Sequence, residues 1–205
     1  MSEKKALREE AHAVRATIPA AVRAEKSAAI LDRLRSMPEI QEANDVFCFV
    51  SFRNEVNTHP ILEYLLQQGK RVYIPYIHEK NRNMRASELR SFTELERGFF
   101  GVLEHKNEFV RLTDIDAIDL VITPGLFFDL EGYRVGYGGG FFDGFFASFT
   151  TPVNKIGICF QEQIRDELPR ASHDIPVDWI VTDERTYHPA GARSKSTQSQ
   201  RVKRL

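Results

Sequence analysis

No stretch of this chain approaches the roughly 18 to 20 consecutive apolar residues that cross a bilayer, so no helical membrane span is expected. Residues 1 to 10 are charged and lack the apolar stretch of a secretion signal, and the protein is expected to stay in the cytoplasm. Cysteine is scarce. Cys48 and Cys159 each sit inside an apolar run, DVFCFV and KIGICF, and read as small buried hydrophobes rather than a disulfide or metal pair. Neither sign of charge is in excess: 28 basic against 29 acidic residues leave a net charge of −1, with no overall field to draw nucleic acid or an anionic membrane. Internal repeats are also missing, and the chain is expected to act as a monomer.

What is present fits one globular domain over residues 1–188, followed by a basic tail, 189–205. The tail loses nearly all of its apolar residues and carries Arg193, Lys195, Arg201, Lys203 and Arg204 with no acid, so disorder is expected there. The first forty residues read as helical, with Leu7, Ala11 and Val14 at helical spacing. Thr17 and Pro19 suggest the cap and start of a second helix, from Ala20 to about Met37, with Pro38 as its stop. Strands are expected at Asp45–Val50, Arg71–Ile77, Ala117–Thr123, Lys155–Phe160 and Trp179–Thr182. Between them lie a helix at Pro60–Gln68, closed by Gly69, and a short one opened by the Ser91/Glu94 capping-box pattern. Strands alternating with helices imply an α/β fold: a mainly parallel open sheet flanked by helices, behind an N-terminal helical segment.

The informative stretch is DLVITPGLFFDLEGYRVGYGGGFFDGFF, Asp119 to Phe146. A buried strand gives way to a loop with Arg134, then Gly136, Tyr137, Gly138, Gly139 and Gly140, then an aromatic helix from Phe141. Glycines this dense let backbone amides approach a ligand closely, and leading into a helix they form a phosphate-binding turn; a tight structural turn is the plainer alternative. A dinucleotide fingerprint fails on spacing, because its sixth position from Gly136 is Phe141. A Walker loop fails because Phe141 and Phe142 stand where Lys and Ser or Thr are needed. Arg134 is a candidate for bidentate contact with phosphate oxygens. Asp143, in the helix's first turn, either complements the helix dipole or holds a magnesium ion against phosphates, with Asp174 in SHDIPVD as a possible second carboxylate.

The string GYRVGYGGGFFD, with LVITPGLFFD ahead of it and LPRASHDIPVDWIVTDE behind, resembles the 5-formyltetrahydrofolate cyclo-ligase (methenyltetrahydrofolate synthetase) family. KKALREE and FVSFRNEVNT match in the same order, and the resemblance covers roughly residues 4 to 184. It implies that Lys4 and Arg8 contact ATP together with Arg134 and residues 136–142, Phe141 and Phe142 included. It also implies that Asp143 and Asp174 hold Mg2+, and that Arg134 and Asp143 serve catalysis. Glu55 is implied to hold the pterin of 5-formyltetrahydrofolate, in a substrate site shared with Val50, Tyr137, Gly138, Gly139, Gly140 and Phe141. Being acceptor-only when ionised, Glu55 suits the paired N–H donors of such a ring. Two departures stand out: family members commonly carry tyrosines where this chain has Phe141 and Phe142, and some carry a lysine at the place of Gly139.

The implied reaction is the ATP- and magnesium-dependent closure of 5-formyltetrahydrofolate to 5,10-methenyltetrahydrofolate through a phosphorylated formyl oxygen. It needs no protein nucleophile, in keeping with a sequence that offers no convincing Ser–His–Asp or Cys–His arrangement. Two other classes are open: a sugar-phosphate isomerase or acyl-CoA-transferase-like enzyme using the glycine turn for its phosphate, and an RNA-binding protein using the basic tail.

Overall fold

A computed structural model describes residues 3–77, 83–98 and 101–189. All of the tail except Pro189 lies outside these residues, as does Arg82.

Three helices open the chain: α1 (Glu3–Thr17), α2 (Ala20–Ser36) and α3 (Pro38–Glu42). Pro19 itself takes the N-cap position of α2, and the Thr17 hydroxyl donates back to the Val14 carbonyl, so Thr17 caps nothing. Pro38 ends α2 but also starts α3, where its missing N–H costs no helical hydrogen bond.

The central sheet follows. Strands β1 (Asp45–Cys48), β2 (Arg71–Ile77), β6 (Leu120–Thr123), β9 (Asn154–Ile158) and β11 (Trp179–Val181) run parallel, in the spatial order β11-β9-β6-β1-β2. Antiparallel β3 (Met84–Leu89) and β12 (Thr186–Tyr187) close the two edges. The fold is α/β with a mostly parallel sheet flanked by helices.

Helices cover both faces, so the inner strands are apolar on both sides. Val46 and Cys48 of β1 point into a core with Ile30 and Leu34 of α2 and Ile61, Leu62 and Leu65 of α4 (His59–Gln67). Phe47, between them, points the other way, onto Phe145 and Phe146 of α5 (Phe141–Ala147). Cys48 and Cys159 are free, buried thiols.

Two smaller sheets were not evident from the sequence. β7 (Phe127–Asp129), β8 (Arg134–Val135) and β10 (Ile164–Arg165) form one. The expected short helix after Ser91 is instead a single 3-10 turn, Phe92–Glu94. It leads into a hairpin of β4 (Leu95–Arg97) with β5 (Leu103–His105). Ser91 Oγ does accept an N–H, from Thr93, but Glu94 reaches back to the Arg90 N–H and to Arg111, and Leu95 is drawn into the core.

From β1 the chain moves to β2 on one side; from β6 it moves to β9 and β11 on the other. The loops leaving the carboxyl ends of β1 and β6 therefore part at a topological switch point, the usual place for a ligand crevice in such sheets. Glu55 is in the first loop and the glycine turn follows the second. Among the described residues, no helix is long and apolar enough to cross a membrane.

Candidate active site

α1 lies along this crevice. Leu7 and Val14 pack with Ala11 against Leu126, Phe127, Val135 and Leu168, which fixes the helix to the β7–β8 sheet. Lys4, Arg8, His12 and Arg15, spaced by three or four residues, consequently share a face. Each touches the site. The Lys4 ammonium is bound to the Asp174 carboxylate, and Arg8 Nε donates to the Gly136 carbonyl at 2.9 Å. The His12 ring lies 5.8 Å from the Tyr137 ring, and Arg15 Nη1 donates to the Tyr137 hydroxyl at 2.9 Å.

Residues 137–140 are exposed on the surface. Gly138 adopts φ +101°, and Gly140, the N-cap of α5, adopts φ +66°; side chains rarely take either conformation. Gly139 is constrained by space instead, because a Cβ there would meet the Phe141 ring at 2.6 Å. With Phe141 so placed, a lysine at 139 cannot be accommodated unless that ring moves. Phe142 turns away from the loop and meets Phe47 edge-on at 6.3 Å. Both phenylalanines are half-buried and pack against the Phe47–Phe145 cluster.

Glu55 faces Tyr137 across the crevice. Its side chain is only 8% exposed. Oε1 accepts the Tyr137 hydroxyl and Oε2 accepts the Phe52 N–H at 2.8 Å, while Arg15 Nη1 stands 3.8 Å from Oε1. Burial raises the Glu55 pKa above the usual carboxylate value; the Tyr137 and Phe52 hydrogen bonds and the Arg15 charge work against that rise. Although half of Tyr137 is exposed, desolvation of its phenol where it meets Glu55, then the Glu55 charge, pushes its pKa up, so it stays protonated and donates. Val50, two residues past the end of β1, has its side chain in the main core, which leaves its backbone as the part able to meet a ligand.

Arg134 is held within the protein. Its side chain is 3% exposed beneath the glycine turn. Nη2 donates to Asp143 Oδ1 at 2.9 Å, Nη1 donates to the Ile175 carbonyl at 2.7 Å, and the guanidinium stacks 4.8 Å from the Phe146 ring. Held this way it orients Asp143, because β8 directs it towards α5, and both of its terminal nitrogens already have protein acceptors. The Ile175 N–H also donates to Asp143 Oδ1, at 3.1 Å, which brings the Asp174 segment against Asp143. Burial raises the Asp174 pKa, but hydrogen bonds from Lys4 and the Ala171 N–H outweigh this and hold it below its usual value.

A hollow of about 290 Å3 opens beside this constellation, lined by His12, Arg15, Phe52, Arg53 and Tyr137. Asn54 borders an adjoining one. Arg53 has φ 52°, the one positive value among the described non-glycine residues, and its guanidinium lies 4.7 Å from the Phe52 ring. Partial burial, then Arg15 and Arg53, hold the His12 pKa below its ordinary value. His12 and Arg15 are the residues that the sequence reading missed. Their spacing from Lys4 and Arg8 on one helical face was the available signal.

Residues 1–183 match the model of the 5-formyltetrahydrofolate cyclo-ligase family. The chain belongs to this family. It is 31% identical to the 5-formyltetrahydrofolate cyclo-ligase of Escherichia coli K12 over 160 residues, covering 76% of this chain and 86% of that one. With the Saccharomyces cerevisiae cyclo-ligase it shares 28% identity over 92% of this chain and 99% of the relative. The NMR structure of an Aquifex aeolicus 5,10-methenyltetrahydrofolate synthetase superposes with a TM-score of 0.81 at 26% identity, covering 98% of this chain and 100% of that chain. The glycine turn and Glu55 both fall inside the segment matched to the cyclo-ligase family.

Proposed function

We propose that this cyclo-ligase closes 5-formyltetrahydrofolate to 5,10-methenyltetrahydrofolate with ATP, which leaves as ADP and phosphate. The observation that carries the reading is the hydrogen bond between Glu55 and Tyr137. It joins an acceptor suited to the pterin ring with the middle of a turn suited to phosphates, so both substrates would meet in one crevice.

The chemistry then needs little from the protein beyond placement. The formyl oxygen is a poor leaving group until it attacks the γ-phosphorus of ATP and ADP departs. N10 next attacks the formyl carbon, and the C–O bond breaks as phosphate leaves with that oxygen. Amides of residues 136–140, with Lys4 and Arg8 from α1, would hold the phosphates, while Glu55 would hold the ring.

Asp143 and Asp174 fit magnesium. Each has an oxygen fixed by protein donors, Asp143 Oδ1 and Asp174 Oδ2, and another free of hydrogen bonds among the described residues. Lys4 already sets a positive charge on Asp174. Among the described residues no cluster of three or more His, Cys, Asp or Glu could hold a metal, so phosphate oxygens and water would complete the shell. Bound there, magnesium would offset phosphate charge. Arg134 keeps Asp143 turned to this place.

A substrate labelled with heavy oxygen in the formyl group tests the scheme. The label is expected in the released phosphate, in step with ADP. Label lost to water, or turnover without ADP, rules the scheme out and returns the isomerase and transferase classes to consideration.

A further inference from the structure

Arg15 is an unusual residue to bury. It sits on α1 with its side chain 5% exposed, and its Nε is sealed from solvent without a hydrogen-bond partner among the described residues. A buried, incompletely satisfied guanidinium costs stability unless its charge is used. Its surroundings show the use. Nη1 reaches the Tyr137 hydroxyl at 2.9 Å and stands 3.8 Å from Glu55 Oε1, and the guanidinium lies 5.6 Å from the Tyr137 ring centroid.

These contacts have a direction. A guanidinium only donates, so the Tyr137 oxygen must accept from Arg15, and its one hydrogen must go to Glu55. The Phe52 N–H engages the other carboxylate oxygen. An ionised carboxylate has about four lone-pair positions. Two are taken, one on each oxygen, and one on each is left, enough in number for the adjacent N–H groups of an aminopyrimidinone edge. Were Glu55 protonated, one oxygen would become a donor and the pair would be broken.

We propose that Arg15 is a positioning residue for the folate substrate: through Tyr137 it keeps Glu55 a charged, correctly turned acceptor for the ring. This rests on the assignment of Glu55 to the ring, made above. The groups around Glu55 agree. Arg15 comes from α1, Tyr137 from the glycine turn, and His12 and Arg53 line the same hollow. Burial works towards protonating Glu55, and Arg15 is the nearest charge opposing it.

Steady-state kinetics of the full chain from about pH 5 to about pH 9, varying each substrate in turn, test the role. Arg15→Met is expected to raise the folate KM about tenfold while leaving the ATP KM within about twofold. Loss of the positive charge raises the Glu55 pKa further, so the acid limb of kcat/KM for folate moves to higher pH, by about one unit. Arg15→Lys retains a charge and is expected to restore the limb, with only part of the KM. Tyr137→Phe cuts the link from the other side and shifts the limb the same way, which keeps the test valid if Arg15→Met folds poorly. A purely structural Arg15 would lower thermal stability and leave the limb in place. If Glu55→Gln raises the folate KM but Arg15→Met and Tyr137→Phe leave KM and limb unchanged, the role of Arg15 is wrong and the ring assignment survives. If Glu55→Gln itself leaves the folate KM unchanged, the ring assignment fails and takes this role with it.

Discussion

Arg8 and Gly138 are fitted to each other: Arg8 Nε bonds the Gly136 carbonyl at 2.9 Å, and its guanidinium carbon would lie 3.3 Å from any Cβ added at Gly138. At φ +101° a side chain is also strained, by about 1 to 3 kcal/mol. Gly138→Val is therefore expected to displace both the turn and Arg8, abolishing ATP binding while the sheet remains folded. Calorimetric titration with ATP checks this, and nucleotide affinity equal to wild type would contradict the placement of phosphates on the turn.

Asp143→Asn keeps an oxygen for the Arg134 and Ile175 donors but removes the charge. The fold is expected to persist, with turnover at saturating magnesium reduced on the order of 100-fold. Circular dichroism and a magnesium titration of the rate measure both halves. An unchanged rate and metal dependence would leave Asp143 as a helix-dipole residue only.

The 3-10 turn that stands in place of the expected helix carries a pH-dependent link. Arg111 hydrogen-bonds Glu94 through both terminal nitrogens at 2.9 Å and holds its carboxyl below the usual value. A lowered folded pKa stabilises the protein above the unfolded value, and that contribution is lost as pH falls through the folded one. Glu94→Gln should thus lower Tm near neutrality, with the difference from wild type shrinking only as pH falls below the ordinary carboxylate value of about 4. A Tm difference that stays constant across that range would show that the loss is packing rather than charge.

Gly157 tests the packing that supports the crevice. The Phe128 ring fills the space where a Cβ at Gly157 would stand, between β9 and β7. Gly157→Ala is expected to cost about 1 to 3 kcal/mol in urea unfolding, through overpacking. No loss would mean that Phe128 can swing aside.

The parallel strands were legible because burial on both faces makes each inner strand a continuous apolar run; Arg71–Ile77 was read with its observed ends. The edge strand β3, Met84–Leu89, was not. Its sequence, MRASEL, buries Ser87 and Ala86 as well as Met84, so no apolar run marks it. The glycine turn was visible in the sequence because glycine density has few other causes. The Arg134–Asp143 pair was beyond reach, since nothing in the spacing reveals that β8 turns Arg134 inward. Arg15 shares a helical face with Lys4 and Arg8, but its burial was hidden: a basic residue on a polar helix reads as solvated until the chain folds over it.

Ring closure itself is the most direct measurement. Purified protein mixed with 5-formyltetrahydrofolate, ATP and magnesium, followed by the absorbance of the methenyl product, is expected to give a signal that needs all three additions and is matched by ADP. A folded protein giving no methenyl absorbance under those conditions, or giving it equally without ATP, would contradict the account.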